Sequence, residues 1–148
     1  MASCSDCFEK ETIAMPKLVD GKKVWGSVST VHDGPLLQVK KVSCNSQVAS
    51  SWHRHERKTN GFFVESGSVI VQTRRWPVVL KPGQYYELRP GVEHRFVGVE
   101  PTSVMIEMYF AEPDTELSDM DIVRTDEGHL LPDEEWGLLI GMAEAGDD

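Results

Sequence analysis

Cysteine is scarce in this chain, apolar runs are short and positive charge is in deficit. The three cysteines among 148 residues, Cys4, Cys7 and Cys44, are an odd number and argue against a disulfide framework. The fold must then rest on a hydrophobic core, and one domain of this length is large enough to bury one. Cys4-x-x-Cys7 has the spacing of a metal or redox pair, but no second pair accompanies it, and we read these residues as reduced thiols. No apolar stretch approaches the 18 or so residues that a membrane-spanning helix needs. The opening residues Met1 to Cys7 have neither the basic start nor the apolar core of a signal peptide, so the cytoplasm is the expected compartment. With 15 Lys and Arg against 24 Asp and Glu, the net charge of −9 argues against general nucleic-acid binding.

Helical periodicity is also rare, and what replaces it is a succession of short strand patterns. They run over Lys23–Val31, Leu36–Ser43, Ala49–His55, Gly61–Glu65, Ser68–Arg74, Pro77–Leu80, Tyr85–Leu88, His94–Val99 and Ser103–Phe110. Asp33-Gly34-Pro35, Ser66-Gly67 and Lys81-Pro82-Gly83 punctuate them as turns. Short strands at even spacing with no helices between them predict an all-β antiparallel sandwich or barrel, a description that a jelly roll meets. Asp119–Arg124 reads as an extended segment or a turn. Pro132–Met142 can begin a short helix, with a proline at its start and acids in its first turn. Trp136, Leu139 and Ile140 would share one face of it and cover the barrel or a partner subunit, although Gly137 and Gly141 weaken the pattern. The expected organisation is a partly ordered arm over residues 1–21, a barrel over 22–126 and an acidic tail over 127–148.

Chemistry concentrates in Ser51–Gly67. His53 and His55 are two residues apart, so on an extended strand both imidazoles point the same way. His94 follows a Pro-Gly turn that can deliver a third imidazole to the same place. Three imidazoles with one oxygen suit a divalent transition metal, with Mn, Fe, Zn and Ni all open. His32 and His129 carry no such pattern and are read as ordinary surface or core histidines. Charge is unevenly spread: from His53 to Arg95 there are eight Lys or Arg against four acids, whereas from Glu100 onward fifteen acids face Arg124 alone. Such a distribution favours an anionic small molecule near the histidines.

These stretches resemble the two signature motifs of the cupin superfamily. Its first motif runs Gly, five residues, His-x-His, three or four residues, Glu, six residues, Gly. His53, His55 and Gly67 fall on it, with Asn60 at the glutamate and Gln47 at the first glycine. The second motif runs Gly, five residues, Pro-x-Gly, two residues, His, three residues, Asn. Gly83, Gly91 and His94 match, while Arg89 stands at the proline and Gly98 at the asparagine. The resemblance implies a single cupin jelly-roll barrel with a short C-terminal helical or extended tail, and metal ligands at His53, His55, His94 and Asn60. Asn60 can bind through its carbonyl oxygen but brings no negative charge. A homodimer is implied by the resemblance and by nothing in the spacing.

The order of blocks Lys23–Gly26, Val39–Val42, the histidine motif, Ile106–Met108 and Asp121–Arg124 is similar to that of the small cupin of type II mannose-6-phosphate isomerases. That resemblance implies aldose–ketose isomerisation of a sugar, with the metal as Lewis acid and a base moving the proton. Glu107 is the candidate base, and alternation alone leaves open whether it faces inward with Met105 and Tyr109 or outward. Lys58, Arg89 and Arg95 are candidates to hold a phosphate, and Tyr85 or Tyr86 to line the mouth. Two other classes share the pattern. A three-histidine iron site is what cupin dioxygenases use, and a non-catalytic cupin can bind a small molecule with the same scaffold.

Overall fold

The computed structural model describes residues 21–146, so the N-terminal arm and Cys4-x-x-Cys7 lie outside the described residues. Two antiparallel sheets make up the body. The first follows the order β1 (Lys22–Lys23), β2 (Gly26–Asp33), β3 (Leu37–Asn45), β11 (Thr102–Ala111), β6 (Lys58–Ser66) and β9 (Tyr85–Leu88). The second follows β12 (Val123–Arg124), β5 (His53–Arg54), β10 (His94–Gly98), β4 (Val48–Ala49) and β13 (His129–Leu130), with β7 (Val69–Thr73) also on β10 and β8 (Pro77–Leu80) on β7. A helix, α1 (Asp133–Gly146), follows them. This is the all-β jelly roll that the alternation predicts.

Alternation decides which side chains meet. Along β11, Ser103, Met105, Glu107 and Tyr109 are buried and the residues between them are not, so Glu107 faces inward. On β6 the inward set is Lys58, Asn60, Phe62 and Val64. Val42, Cys44, Phe62, Val64, Val69, Val71, Phe96 and Met105 form the apolar core between the sheets. The β10 strand is buried throughout because both its faces are covered. Phe96 enters the core and His94 shares its face, whereas Val97 joins Ala49, Ile70, Leu131, Leu139 and Ala143 in a second cluster beneath α1. Trp136 and Ile140 pack against that cluster, so the apolar face of the helix covers the sheet. Gly137 and Gly141 lie on its open side, where a Cβ would touch nothing within 4 Å.

The stretch expected as one strand over Ala49–His55 divides into β4 and β5. Ser50 pairs with Phe96 through the Ser50 N–H, while the next backbone groups turn to a different partner: the Trp52 N–H donates to Asp126 and the Trp52 carbonyl accepts from the Thr125 N–H. Residues 118–126 thereby form a strap across β5. The two departures from the glycine and asparagine pattern have local causes. Gln47 has φ 68°, a left-handed conformation in which glycine is the usual occupant, and its side-chain amide donates to the Leu131 carbonyl at 2.7 Å and to Asp133 at 2.8 Å, tying down the start of α1. A Cβ at Gly98 would sit 2.7 Å from the Asn45 carbonyl oxygen and 2.9 Å from Cys44 Cβ, so a side chain there would push two strands apart.

Candidate metal centre and its cavity

His53 and His94 face each other across the β5–β10 pairing, and His55 comes from the turn that leads into β6. Their ring centroids lie 4.4 Å (His53–His94), 5.2 Å (His53–His55) and 5.5 Å (His55–His94) apart, and one ring nitrogen from each falls within 4.8 Å of the others. All three are buried. Each Nδ1 donates to a backbone carbonyl: His53 to Ser51 at 2.7 Å, His55 to Asp121 at 2.8 Å and His94 to Val92 at 2.8 Å. With the proton held on Nδ1, every Nε2 is left as a lone pair. Burial, joined by the neighbouring His94 and His55, pushes His53 down to about 3, and burial pushes His55 down to about 4. Burial lowers His94 as well. The rings are therefore neutral near pH 7, the form that binds metal.

Two contacts test whether a cation fits. His55 Nε2 is buried and has no hydrogen-bond partner among the described residues, which is costly for an isolated lone pair. His94 Nε2 lies 3.2 Å from Asn60 Oδ1, while the Asn60 amide nitrogen is turned to Glu107 at 3.3 Å and the Met108 carbonyl at 3.4 Å. Two acceptors then face each other in a buried site. A shared cation resolves both conditions, and the donor set of three neutral imidazoles and an amide oxygen suits a divalent transition metal. Carbonyl acceptors behind ligating histidines are the usual way such rings are oriented. His32 and His129 are exposed, and among the described residues the cluster capable of holding a metal is His53, His55 and His94.

A cavity of about 480 Å³ opens onto this cluster, lined by His53, His55, Lys58, Glu107, Tyr109 and Arg124 among others. Register brings these together: Glu107 pairs with Lys40 and Phe62, and Tyr109 with Gln38 and Asn60. Glu107 is buried, which raises it above the ordinary carboxylate range, opposed by a hydrogen bond from Tyr109 and by the charge of Lys40. Burial and the adjacent Glu107 push the Tyr109 hydroxyl well above the usual phenol range. The Lys58 ammonium donates to the Ser118 carbonyl at 3.1 Å and sits 4.2 Å from the centre of the Tyr109 ring. Burial lowers it from the usual lysine value.

Other expected residues lie elsewhere. Arg95 follows His94 on β10 and so points to the opposite face, where it donates to Gln72 at 2.8 Å and to Glu135 at 3.1 Å and stacks 4.8 Å from the Trp52 ring. Arg89 is exposed in the turn after β9 and does not line the cavity. Tyr85 is 46% exposed on the outward side of β9, lying across Gly61, where any Cβ would collide with its hydroxyl. Tyr86 packs against the apolar core. Sequence reasoning did not single out Tyr109 as a site residue, although it shares a strand face with Glu107. Nor did it assign a role to Arg124 or to Asp121, whose placement depends on the strap.

Residues 45–109 match a protein-family model described as the cupin domain. The fold is that of a cupin. Solved cupin-like neighbours agree in fold. KdgF from Halomonas sp. is 24% identical over 60% of this chain and 80% of its own, with a TM-score of 0.55. A Streptomyces PAC13 variant with uridine is 12% identical over 77% of this chain and 92% of its own, with a TM-score of 0.63. The DMSP lyase DddQ from Ruegeria pomeroyi is 14% identical over 66% of this chain and 50% of its own, with a TM-score of 0.55. A search of curated proteins finds no match. At these identities the likeness establishes the fold of this chain and leaves its reaction to the site.

Proposed function

We propose that this cupin is a metal-dependent enzyme that moves a proton on a carbon next to a carbonyl in a small molecule, as in the aldose–ketose isomerisation that its sequence blocks suggest. The observation that carries this reading is the convergence of one ring nitrogen from each of three buried histidines beside a cavity whose wall holds the inward-facing Glu107. His53, His55, His94 and Asn60 would hold the metal, and when bound it supplies Lewis-acid polarisation of a carbonyl. Glu107 is the base. Burial raises its proton affinity toward the range useful at neutral pH, while hydrogen bonds from Asn60 and Tyr109 fix its direction and stabilise the ionised form that takes the proton. One carboxylate can both remove the proton and return it to the adjacent carbon.

A lyase reading shares the first half of that chemistry. It draws on the second acid–base group, Tyr109, beside Glu107 and on the DMSP lyase among the structural neighbours. The test is purified full-length protein, its metal determined by elemental analysis, incubated in D2O with aldose and ketose phosphates and with β-substituted carboxylic acids. We expect deuterium entering at the carbon next to the carbonyl, lost in Glu107→Gln. Ketose product supports isomerisation and alkene product a lyase. A metal-loaded protein that exchanges no proton, or that takes up oxygen instead, defeats the proposal and favours dioxygenase chemistry.

A further inference from the structure

We infer that Lys58 and Arg124 form an anion clamp, so that the substrate of the cavity is a small molecule bearing a carboxylate or phosphate group. The inference rests on the reading of the cavity as a substrate site and adds the class of molecule it takes. Both residues line the cavity that holds His53, His55 and Glu107. Lys58 is buried; its ammonium donates to the Ser118 carbonyl and lies over the face of the Tyr109 ring, and the carboxylates of Asp121, Asp119 and Glu107 act on it from beyond ion-pair distance. Neither Lys58 nor Arg124 forms an ion pair with a carboxylate among the described residues, whereas the Lys40 at the same wall lies 3.9 Å from Asp119.

Their places in the fold indicate where an anion would sit. The Lys58 ammonium lies over the Tyr109 ring, next to Glu107 on the inward face of β11, and Arg124 pairs with His53 across β12 and β5. The two cations thus flank the histidine cluster and the Glu107–Tyr109 pair together. An anionic group bound between them would place the rest of a small molecule next to both. A buried ammonium with open donor capacity is expensive unless a counter-charge completes it, and a chain of net charge −9 has no general attraction for anions to account for such a pair. A guanidinium adds a planar fork for carboxylate or phosphate oxygens.

The test is calorimetric titration of full-length protein, metal-free and metal-loaded, with inorganic phosphate, with malonate and with the neutral isostere malonamide. We expect at least one of the anions to bind and malonamide not to, and we expect Lys58→Met and Arg124→Gln each to weaken the anion about tenfold or more. Preference between the two anions identifies the group carried by the substrate. The clamp is overturned if neither anion binds, if malonamide binds as tightly, or if Arg124→Gln, at an exposed position that puts the fold at no risk, binds like the parent. Anion binding without any metal binding sinks the proposed function and leaves the clamp. Metal-dependent proton exchange without anion selectivity does the reverse.

Discussion

Replacing Asp121 by alanine isolates the part played by the strap. Its carboxylate accepts the Glu56 N–H at 2.8 Å and the Arg57 N–H at 3.0 Å, and its own carbonyl takes the His55 Nδ1 proton at 2.8 Å. One residue therefore fixes both the turn that carries His55 and the orientation of the ring. Removing the carboxylate leaves the carbonyl in place but frees the strap to drift from the turn. Outer partners of ligating histidines are typically worth about 10- to 100-fold in metal affinity. Because water can replace the carboxylate at the exposed Glu56 and Arg57 amides, the lower end applies: about tenfold, or about 1.4 kcal/mol. The same loss should cost about 1 kcal/mol of stability, about 4 °C in Tm for a domain of this size. Asp121→Asn keeps one acceptor oxygen and should fall between the parent and Asp121→Ala. The assay is competition for Zn2+ or Mn2+ against a chromophoric chelator, with thermal melting of the same samples. A variant that melts lower yet binds metal as tightly as the parent refutes the claim that the strap orients His55.

Other expectations follow from the same geometry. Replacing His53 and His94 together with alanine should abolish metal occupancy measured on purified protein, and retained metal would remove the cluster from the account. His53 and His55 are held below the ordinary histidine value, to about 3 and about 4. The unfolded chain therefore binds protons that the metal-free fold refuses. Stability should be full above about pH 6.5 and fall as pH drops toward 4, by about 1.4 kcal/mol per pH unit for each histidine; a melting temperature flat between pH 7.5 and 4.5 would contradict this. Arg95→Met removes the contacts to Gln72 and Glu135 on the helix side of β10. It should lower stability by about 1–3 kcal/mol and leave metal affinity within about twofold of the parent, and a larger change in affinity would place Arg95 in the site after all.

Much of this arrangement was legible in the residues because the period of a strand is two. His53 and His55 share a face by that rule, and the Pro-Gly turn before His94 pointed to a third imidazole at the same place. The same rule, applied at Arg95, sends the residue after His94 to the opposite face; grouping cations by their nearness in sequence overlooked it. Tyr109 carried a signal too, since it alternates with Glu107. The inward direction of Glu107 required the partner strands, because β11 is covered differently on its two sides and parity has no origin without them. Arg124 and Asp121 were beyond reach: the 118–126 segment is short and polar, and its pairing with β5 is fixed by contacts distant in sequence. The C-terminal helix was announced by Pro132 and its acids, and its glycines proved harmless because they face away from the sheet.

The tie made by Gln47 links the end of the chain to the start of the histidine motif. Five residues separate Gln47 from His53, and the side chain that grips Leu131 and Asp133 belongs to a backbone held in a conformation that costs a non-glycine residue on the order of 1 kcal/mol. Were the helix to be clipped off or displaced, that outlay would lose its compensation, and the short segment carrying Ser51, whose carbonyl steers the His53 ring, would be the first to relax. In this chain, damage at the tail should be felt at the histidine cluster.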